Sequence, residues 1–269
     1  MYKKRIYKKS LTGSDLKLPY LEVKDQKTYY AGDLEAPGIP VIFCHGSGGR
    51  HHHWVYQIRG LRGEEIKPLA VDLPGHGKSE GSPLESIENY RDWLGYFAEA
   101  AGLAKFVVAG HSMGGAIALA YALEYPEQIS GLILVGSGGR LRVLPALLEA
   151  LKAGTVPSTF ADYLYGPYTG EKLIKEGKKD IAETAASLYY TDLSACDNFD
   201  VMEELPRIDQ QVLIICGSED RLTPVKYSTY LHQKLPKAEL VIIDGAGHMV
   251  MLEKPEAVNS AICAYVKTL

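Results

Sequence analysis

Gly110-His111-Ser112-Met113-Gly114-Gly115 places a serine among glycines, after the apolar run Phe106–Ala109 and ahead of the alanine-rich run Gly114–Tyr125. This is G-x-S-x-G in a strand, sharp turn and helix context. Such a turn holds the serine backbone in a sparsely populated conformation and lifts its hydroxyl above the sheet. Glycines at 110 and 114 remove side chains that would clash where strand and helix approach. The helix N-terminus behind the turn favours developing negative charge. A hydroxyl is a poor nucleophile near neutral pH, so Ser112 needs a base and a group that orients the base. Two later apolar runs supply them. VLIIC ends in Gly217-Ser218-Glu219-Asp220, and LVII ends in Asp244-Gly245-Ala246-Gly247-His248. The order serine, acid, histidine makes Asp220 the expected orienting acid and His248 the expected general base. Glu219 is expected to point away from His248, and Asp244 to support its own loop. The turn Gly136–Gly139 carries no carboxylate, which strengthens Asp220.

Acyl transfer through a serine develops an oxyanion that needs two preorganised donors. One is expected to be the backbone N–H of Met113, immediately after the nucleophile. The other is expected from the loop His45-Gly46-Ser47-Gly48-Gly49, which follows the apolar run VIFC, and is assigned to the Ser47 N–H.

The elements that must hold these loops follow from the pattern. Short apolar runs at Val41–Cys44, Lys67–Val71, Phe106–Ala109, Ile129–Val135, Gln211–Cys216 and Leu240–Ile243 read as buried strands. Tyr20–Val23 and Lys27–Ala31 read as an antiparallel pair. Between them, helical patterns cover Ser86–Ala101, Gly114–Tyr125, Val225–Leu235 and Pro255–Val266. Ser86 is placed as an N-cap and Gly102 as a stop. Alternation of this kind specifies a mostly parallel sheet with crossover helices. Residues 140–206 break it. They read as short helices punctuated by Pro145, Pro157 and Pro167, with tyrosines at 163, 165, 168, 189 and 190. The segment reads as a helical cap over the edge of the sheet where such folds bind ligands. Residues 1–139 and 207–269 then form one core, and 140–206 the cap.

The 269 residues are 46% hydrophobic and 23% charged, which fits a globular chain with a sizeable core and argues against wholesale disorder. A formal charge of −4 argues against a nucleic-acid partner. The basic start (Lys3, Lys4, Arg5, Lys8, Lys9) reads as the solvated end of a first strand, with no apolar stretch of signal-peptide length behind it. No run has the length of a membrane span. The four cysteines, 44, 196, 216 and 263, show neither zinc-ligand spacing nor the density of a disulfide scaffold. They are expected to be reduced packing residues, in keeping with a cytoplasmic location. His51-His52-His53 is expected at a helix start near the pocket mouth rather than around a metal, because adjacent side chains in a regular element diverge.

Together these residues resemble the α/β-hydrolase superfamily over essentially the whole chain. The resemblance rests on His45-Gly46, Asp72-Leu73-Pro74-Gly75-His76-Gly77-Lys78-Ser79, the elbow at 110–115, Gly217–Asp220 followed by Pro224, and Gly247-His248. It implies an α/β-hydrolase fold: an eight-stranded sheet, one strand antiparallel, flanked by helices, with a cap inserted after the sixth strand. It also implies that Gly75 and Gly77 supply unusual backbone angles. Branches with an aspartate nucleophile act as haloalkane dehalogenases and epoxide hydrolases, and Ser112 disfavours both. The expected activity is hydrolysis of a small-molecule carboxylic ester, without cofactor or metal. Thioesterase, lactonase, perhydrolase and carbon–carbon bond hydrolase chemistry share the triad. Met249 after the histidine departs from the aromatic residue of the carbon–carbon bond hydrolases. A non-catalytic ligand-binding protein on the same fold is the alternative of another class.

Overall fold

The computed structural model describes residues 19–269, so the basic segment Lys3–Lys9 lies outside the described residues. Strands β1 (Tyr20–Val23), β2 (Gln26–Gly32), β3 (Ile39–Cys44), β4 (Ile66–Val71), β5 (Phe106–His111), β6 (Ile129–Val135), β7 (Gln211–Gly217) and β8 (Ala238–Ile243) form one sheet in the order β1-β2-β4-β3-β5-β6-β7-β8. β2 runs antiparallel to both its neighbours, and every other pairing is parallel. The expected eight-stranded sheet with a single reversed strand is therefore what forms.

The central strands are apolar at nearly every position because both faces are covered. In β3, Ile42 and Cys44 belong to one core, while Val41 and Phe43 belong to the other. The first core also takes α2 (Ile87–Ala100) and α3 (Met113–Glu124). The second takes α1 (Val55–Gly60), with Ile58 inward, and the C-terminal helix, with Val258 and Ile262 inward. α2 starts where expected: the Ser86 hydroxyl accepts the Asn89 N–H at 3.1 Å. α3 is buried along nearly its whole length, which explains why its sequence is alanine-rich rather than amphipathic.

The segment between β6 and β7 contains α4 (Pro145–Lys152), α5 (Glu171–Glu183) and α6 (Ala186–Asn198) with short 3₁₀ turns. Its ends meet: Arg140 forms an isolated antiparallel bridge with Asp200, and the Val201 N–H donates to the Gly139 carbonyl at 2.8 Å. After β7 come α7 (Val225–Lys234), β8, α8 (Val250–Glu253) and α9 (Pro255–Val266). Among the described residues all four cysteines are unpaired thiols, and no helix is long and apolar enough to cross a membrane. Cys44, Cys196 and Cys216 are buried.

Candidate active site

The loops that follow β3, β5, β7 and β8 emerge at one edge of the sheet, because these strands are parallel. Ser112 stands between β5 and α3 with φ 52° and ψ −114°, a conformation that costs a residue with a Cβ. Four backbone or hydroxyl contacts hold it there. The Ser112 N–H donates to the Val135 carbonyl at 2.9 Å, and the Ser112 carbonyl accepts from the Gly115 and Ala116 N–H groups and from the Ser137 hydroxyl. The flanking glycines are required by contact. A Cβ on Gly110 would lie 2.0 Å from the Gly114 carbonyl oxygen, and one on Gly114 would lie 2.3 Å from that of Cys44.

Asp220 and His248 meet across 28 residues of sequence: His248 Nδ1 lies 2.8 Å from Asp220 Oδ2, with both side chains buried. Nδ1–H faces a carboxylate, so in the neutral ring the Nε2 lone pair is free to accept a proton. The acid is itself fixed. The N–H groups of Leu222 and Thr223 donate to Oδ1 at 2.9 Å each, and the Thr223 hydroxyl donates to Oδ2 at 2.8 Å. Burial opposes ionisation of Asp220, but the charge of His248, its hydrogen bond and those of Thr223 outweigh it and hold the pKa below the usual carboxylate value. Glu219 is exposed, and its N–H is spent on the Ala246 carbonyl. Asp244 accepts from the Ser218 hydroxyl at 3.4 Å, and the Ser218 Oγ in turn accepts the Gly245 N–H at 2.9 Å, so Asp244 supports its own loop.

The candidate donors lie on either side of Ser112. Met113 opens α3, where N–H groups have no acceptor within the helix. Ser47 lies in a turn closed by the Gly49 N–H on the Gly46 carbonyl at 3.0 Å. His45 Nδ1 donates to that same carbonyl at 2.8 Å while its Nε2 accepts the Leu73 N–H at 3.1 Å. This is a neutral ring with one fixed tautomer. Burial and then the neighbouring His76 push its pKa down to about 3, so it stays neutral. The Asp72–Ser79 stretch buttresses this loop: Asp72 accepts the Lys78 N–H at 2.9 Å and the His51 ring at 2.9 Å, with Gly75 and Gly77 at φ 75° and 53°.

Ser47, Ser112 and His248 line one cavity of about 410 Å³, roofed from the insertion by residues that include Val143, Leu147, Phe160 and Tyr189. A wider cleft of about 920 Å³ lies beside Ile39, Glu65 and Lys267 at the opposite edge and contains none of these groups. The three histidines form a 3₁₀ turn with Trp54, and His53 reaches the cavity. Among the described residues, the one cluster with metal-compatible spacing is His52, His53 and Asp180, with ligand atoms within 4.8 Å of one another. Its carboxylate is already engaged: Arg50 holds Oδ1 at 2.6 Å and His52 holds Oδ2 at 2.6 Å. The cluster joins the core to α5 as an ion pair.

Several supporting residues lie outside the sequence reading. His111 Nε2 donates to the His248 carbonyl at 3.0 Å and so fixes the histidine's backbone. Glu253 accepts the Gly247 N–H and, from the insertion, the Gly166 N–H at 2.9 Å and the Thr169 hydroxyl. Thr223 had a readable signal in its position three residues after Asp220, the spacing at which a carboxylate meets local N–H groups. Glu253 had none.

Residues 41–261 match the model of the Alpha/beta hydrolase family. A solved structure described as a thermophilic esterase is 35% identical, with a TM-score of 0.81 over 93% of this chain and 96% of that one. Lipase 1 of Psychrobacter immobilis is 28% identical over 89% of this chain and 81% of its own length. The dihydrolipoyllysine-residue acetyltransferase component of the acetoin cleaving system of Pseudomonas putida is 29% identical over 86% of this chain, which spans 64% of that protein. With a family match over most of its length and a 35% identical relative covered almost end to end, the chain belongs to the alpha/beta hydrolase family.

Proposed function

We propose that the protein is a serine hydrolase that cleaves a small carboxylic ester through an acyl-enzyme. The observation that carries this reading is the buried contact between His248 Nδ1 and Asp220 Oδ2, at the edge of a cavity that Ser112 also lines. Ser112 Oγ attacks the acyl carbon while His248 Nε2 takes its proton. Asp220 holds the tautomer and stabilises the imidazolium. The Ser47 and Met113 N–H groups receive the oxyanion. His248 then returns the proton to the departing alkoxide. In the second half a water attacks the acyl-enzyme while His248 takes its proton, and His248 then gives that proton to the departing Ser112 oxygen as the acid leaves. All these groups belong to the chain. Residues 140–206 act as a cap, and their side chains shape the pocket that receives the acyl and alcohol groups.

The test is a panel of p-nitrophenyl esters of graded acyl length, with Ser112→Ala as control. We expect turnover that falls by several orders of magnitude in the variant, leaving only what binding and the oxyanion donors provide. A cavity of this size should favour short acyl chains. Wild-type turnover no greater than that of Ser112→Ala across the panel overturns the reading. Weak turnover of every ester beside rapid turnover of a lactone or thioester keeps the mechanism and changes the substrate.

A further inference from the structure

We propose that Asp192, on the inserted helix α6, is a positioning residue for the oxyanion loop, so that the insertion sets the geometry of a catalytic loop belonging to the core. The proposal rests on the serine hydrolase reading. Asp192 is a carboxylate with no exposed side-chain surface, and its hydrogen-bond partners come from the core. Its Oδ2 accepts the Gly48 N–H at 2.8 Å and His76 Nε2 at 2.9 Å, and its Oδ1 accepts the Tyr90 hydroxyl at 2.8 Å. The other nitrogen of His76 lies 2.9 Å from the Pro74 carbonyl. Both ring nitrogens therefore face acceptors, which only a doubly protonated ring satisfies, and the pair is a buried imidazolium–carboxylate.

What this pair holds is the backbone on one side of Ser47. The Gly46–Ser47 peptide is anchored through the Gly46 carbonyl, which accepts from His45 and from Gly49. A trans peptide then turns the Ser47 N–H the opposite way. The next peptide, Ser47–Gly48, is anchored by its N–H on Asp192. The first anchor belongs to the core and the second to the insertion. Tyr189, one turn earlier on α6, adds a steric restraint. Gly48 has φ +63°, and a Cβ there would lie 2.2 Å from the Tyr189 ring. Loop and helix are thus fitted to each other without a spare methyl group.

The experiment measures kcat and KM for an activated ester, and the rate at which an activated phosphonate labels Ser112, in wild type, Asp192→Ala, Asp192→Asn and Tyr90→Phe. Displacing a donor by a fraction of its hydrogen bond acts on the transition state, so Asp192→Ala should lower kcat about 100-fold, with KM changed by less than about threefold and labelling slowed in parallel. Asp192→Asn keeps the volume and one acceptor, and should lose about tenfold in kcat. Tyr90→Phe removes a bond to the same carboxylate without touching the loop, and should lower Tm while leaving kcat within about twofold. No turnover and no labelling in the wild type overturn the hydrolase reading itself. Wild-type kcat in both Asp192 variants overturns the assignment of Asp192 alone. So does a kcat loss in Tyr90→Phe as large as that in Asp192→Asn, because activity would then simply follow stability.

Discussion

Replacing Ser112 by glycine should make the protein more stable than replacing it by alanine, although both changes remove the hydroxyl. At φ 52° and ψ −114° the residue lies where a Cβ costs about 1–3 kcal/mol. Alanine keeps that cost and glycine removes it. Against this, glycine gains about 0.5–1 kcal/mol of chain entropy in the unfolded state. The net advantage of Ser112→Gly over Ser112→Ala is therefore centred on about 1 kcal/mol, within about 0–2.5 kcal/mol. The backbone contacts that impose the conformation survive both substitutions: the Ser112 N–H still meets the Val135 carbonyl, and the residue's own carbonyl still accepts from Gly115, Ala116 and the Ser137 hydroxyl. For a chain of this size each kcal/mol moves Tm by about 2–4 °C. The comparison is made by urea unfolding followed by circular dichroism, with the two variants side by side and their m-values checked for equality. A Ser112→Gly variant no more stable than Ser112→Ala would refute the claim that the turn stores strain at Ser112.

Asp220→Asn should fall by about three to four orders of magnitude in kcat, because an amide cannot hold Nδ1–H and the imidazolium as the carboxylate does; steady-state ester hydrolysis tests this, and a loss under tenfold would remove Asp220 from its proposed role. Stability should decline on both sides of neutrality. The pKa values of Asp220 and Asp192 are depressed, for burial opposes ionisation but is outweighed by His248 and Thr223 around Asp220 and by His76, Gly48 and Tyr90 around Asp192. Their contribution is present above the unfolded aspartate value of about 3.9 and is lost as pH falls through the lowered folded values. His76 is raised: burial works against the charged ring, but Asp192, the bond to Asp192 and the bond to Pro74 outweigh it. Its contribution is complete below about pH 6.5 and fades as pH rises through its folded value. Urea midpoints across pH should show the alkaline decline in wild type and lose it in His76→Gln; an unchanged decline in that variant would exclude His76 as its source.

What could be read from the chain was local or periodic. Ile129–Val135 and Pro255–Val266 form with the bounds their sequence suggests, because an apolar run and a proline at a helix start are local signals. Ser112, Asp220 and His248 were legible because each follows an apolar strand and a glycine-containing turn, so topology alone brings them to one edge. β3 begins two residues earlier than its apolar run, at Ile39-Pro40, and β8 begins at Ala238, since pairing with a neighbour extends a strand past its hydrophobic centre. The partnership of Asp192 with Gly48 spans 144 residues and leaves no periodic trace. Tyr189, Asp192 and Cys196 share a buried helical stripe, and the charge in the middle of it makes the inward face of α6 look like an outward one. A buried carboxylate becomes intelligible only when its donors are in view, and those come from three distant places in the chain.

The joined ends of residues 140–200 have a consequence for how this enzyme can be remade. Because Gly139 meets Val201, the insertion is connected to the core like a cassette, and a replacement of different length can be spliced at the same two points. The connection is simple but the fit is not. Any replacement must arrive with an acid aimed at Gly48 and His76, or it leaves a buried cation and a loop N–H without an acceptor. With residues 140–206 acting as the proposed cap, libraries built at this junction should fix position 192 and vary the residues facing the cavity.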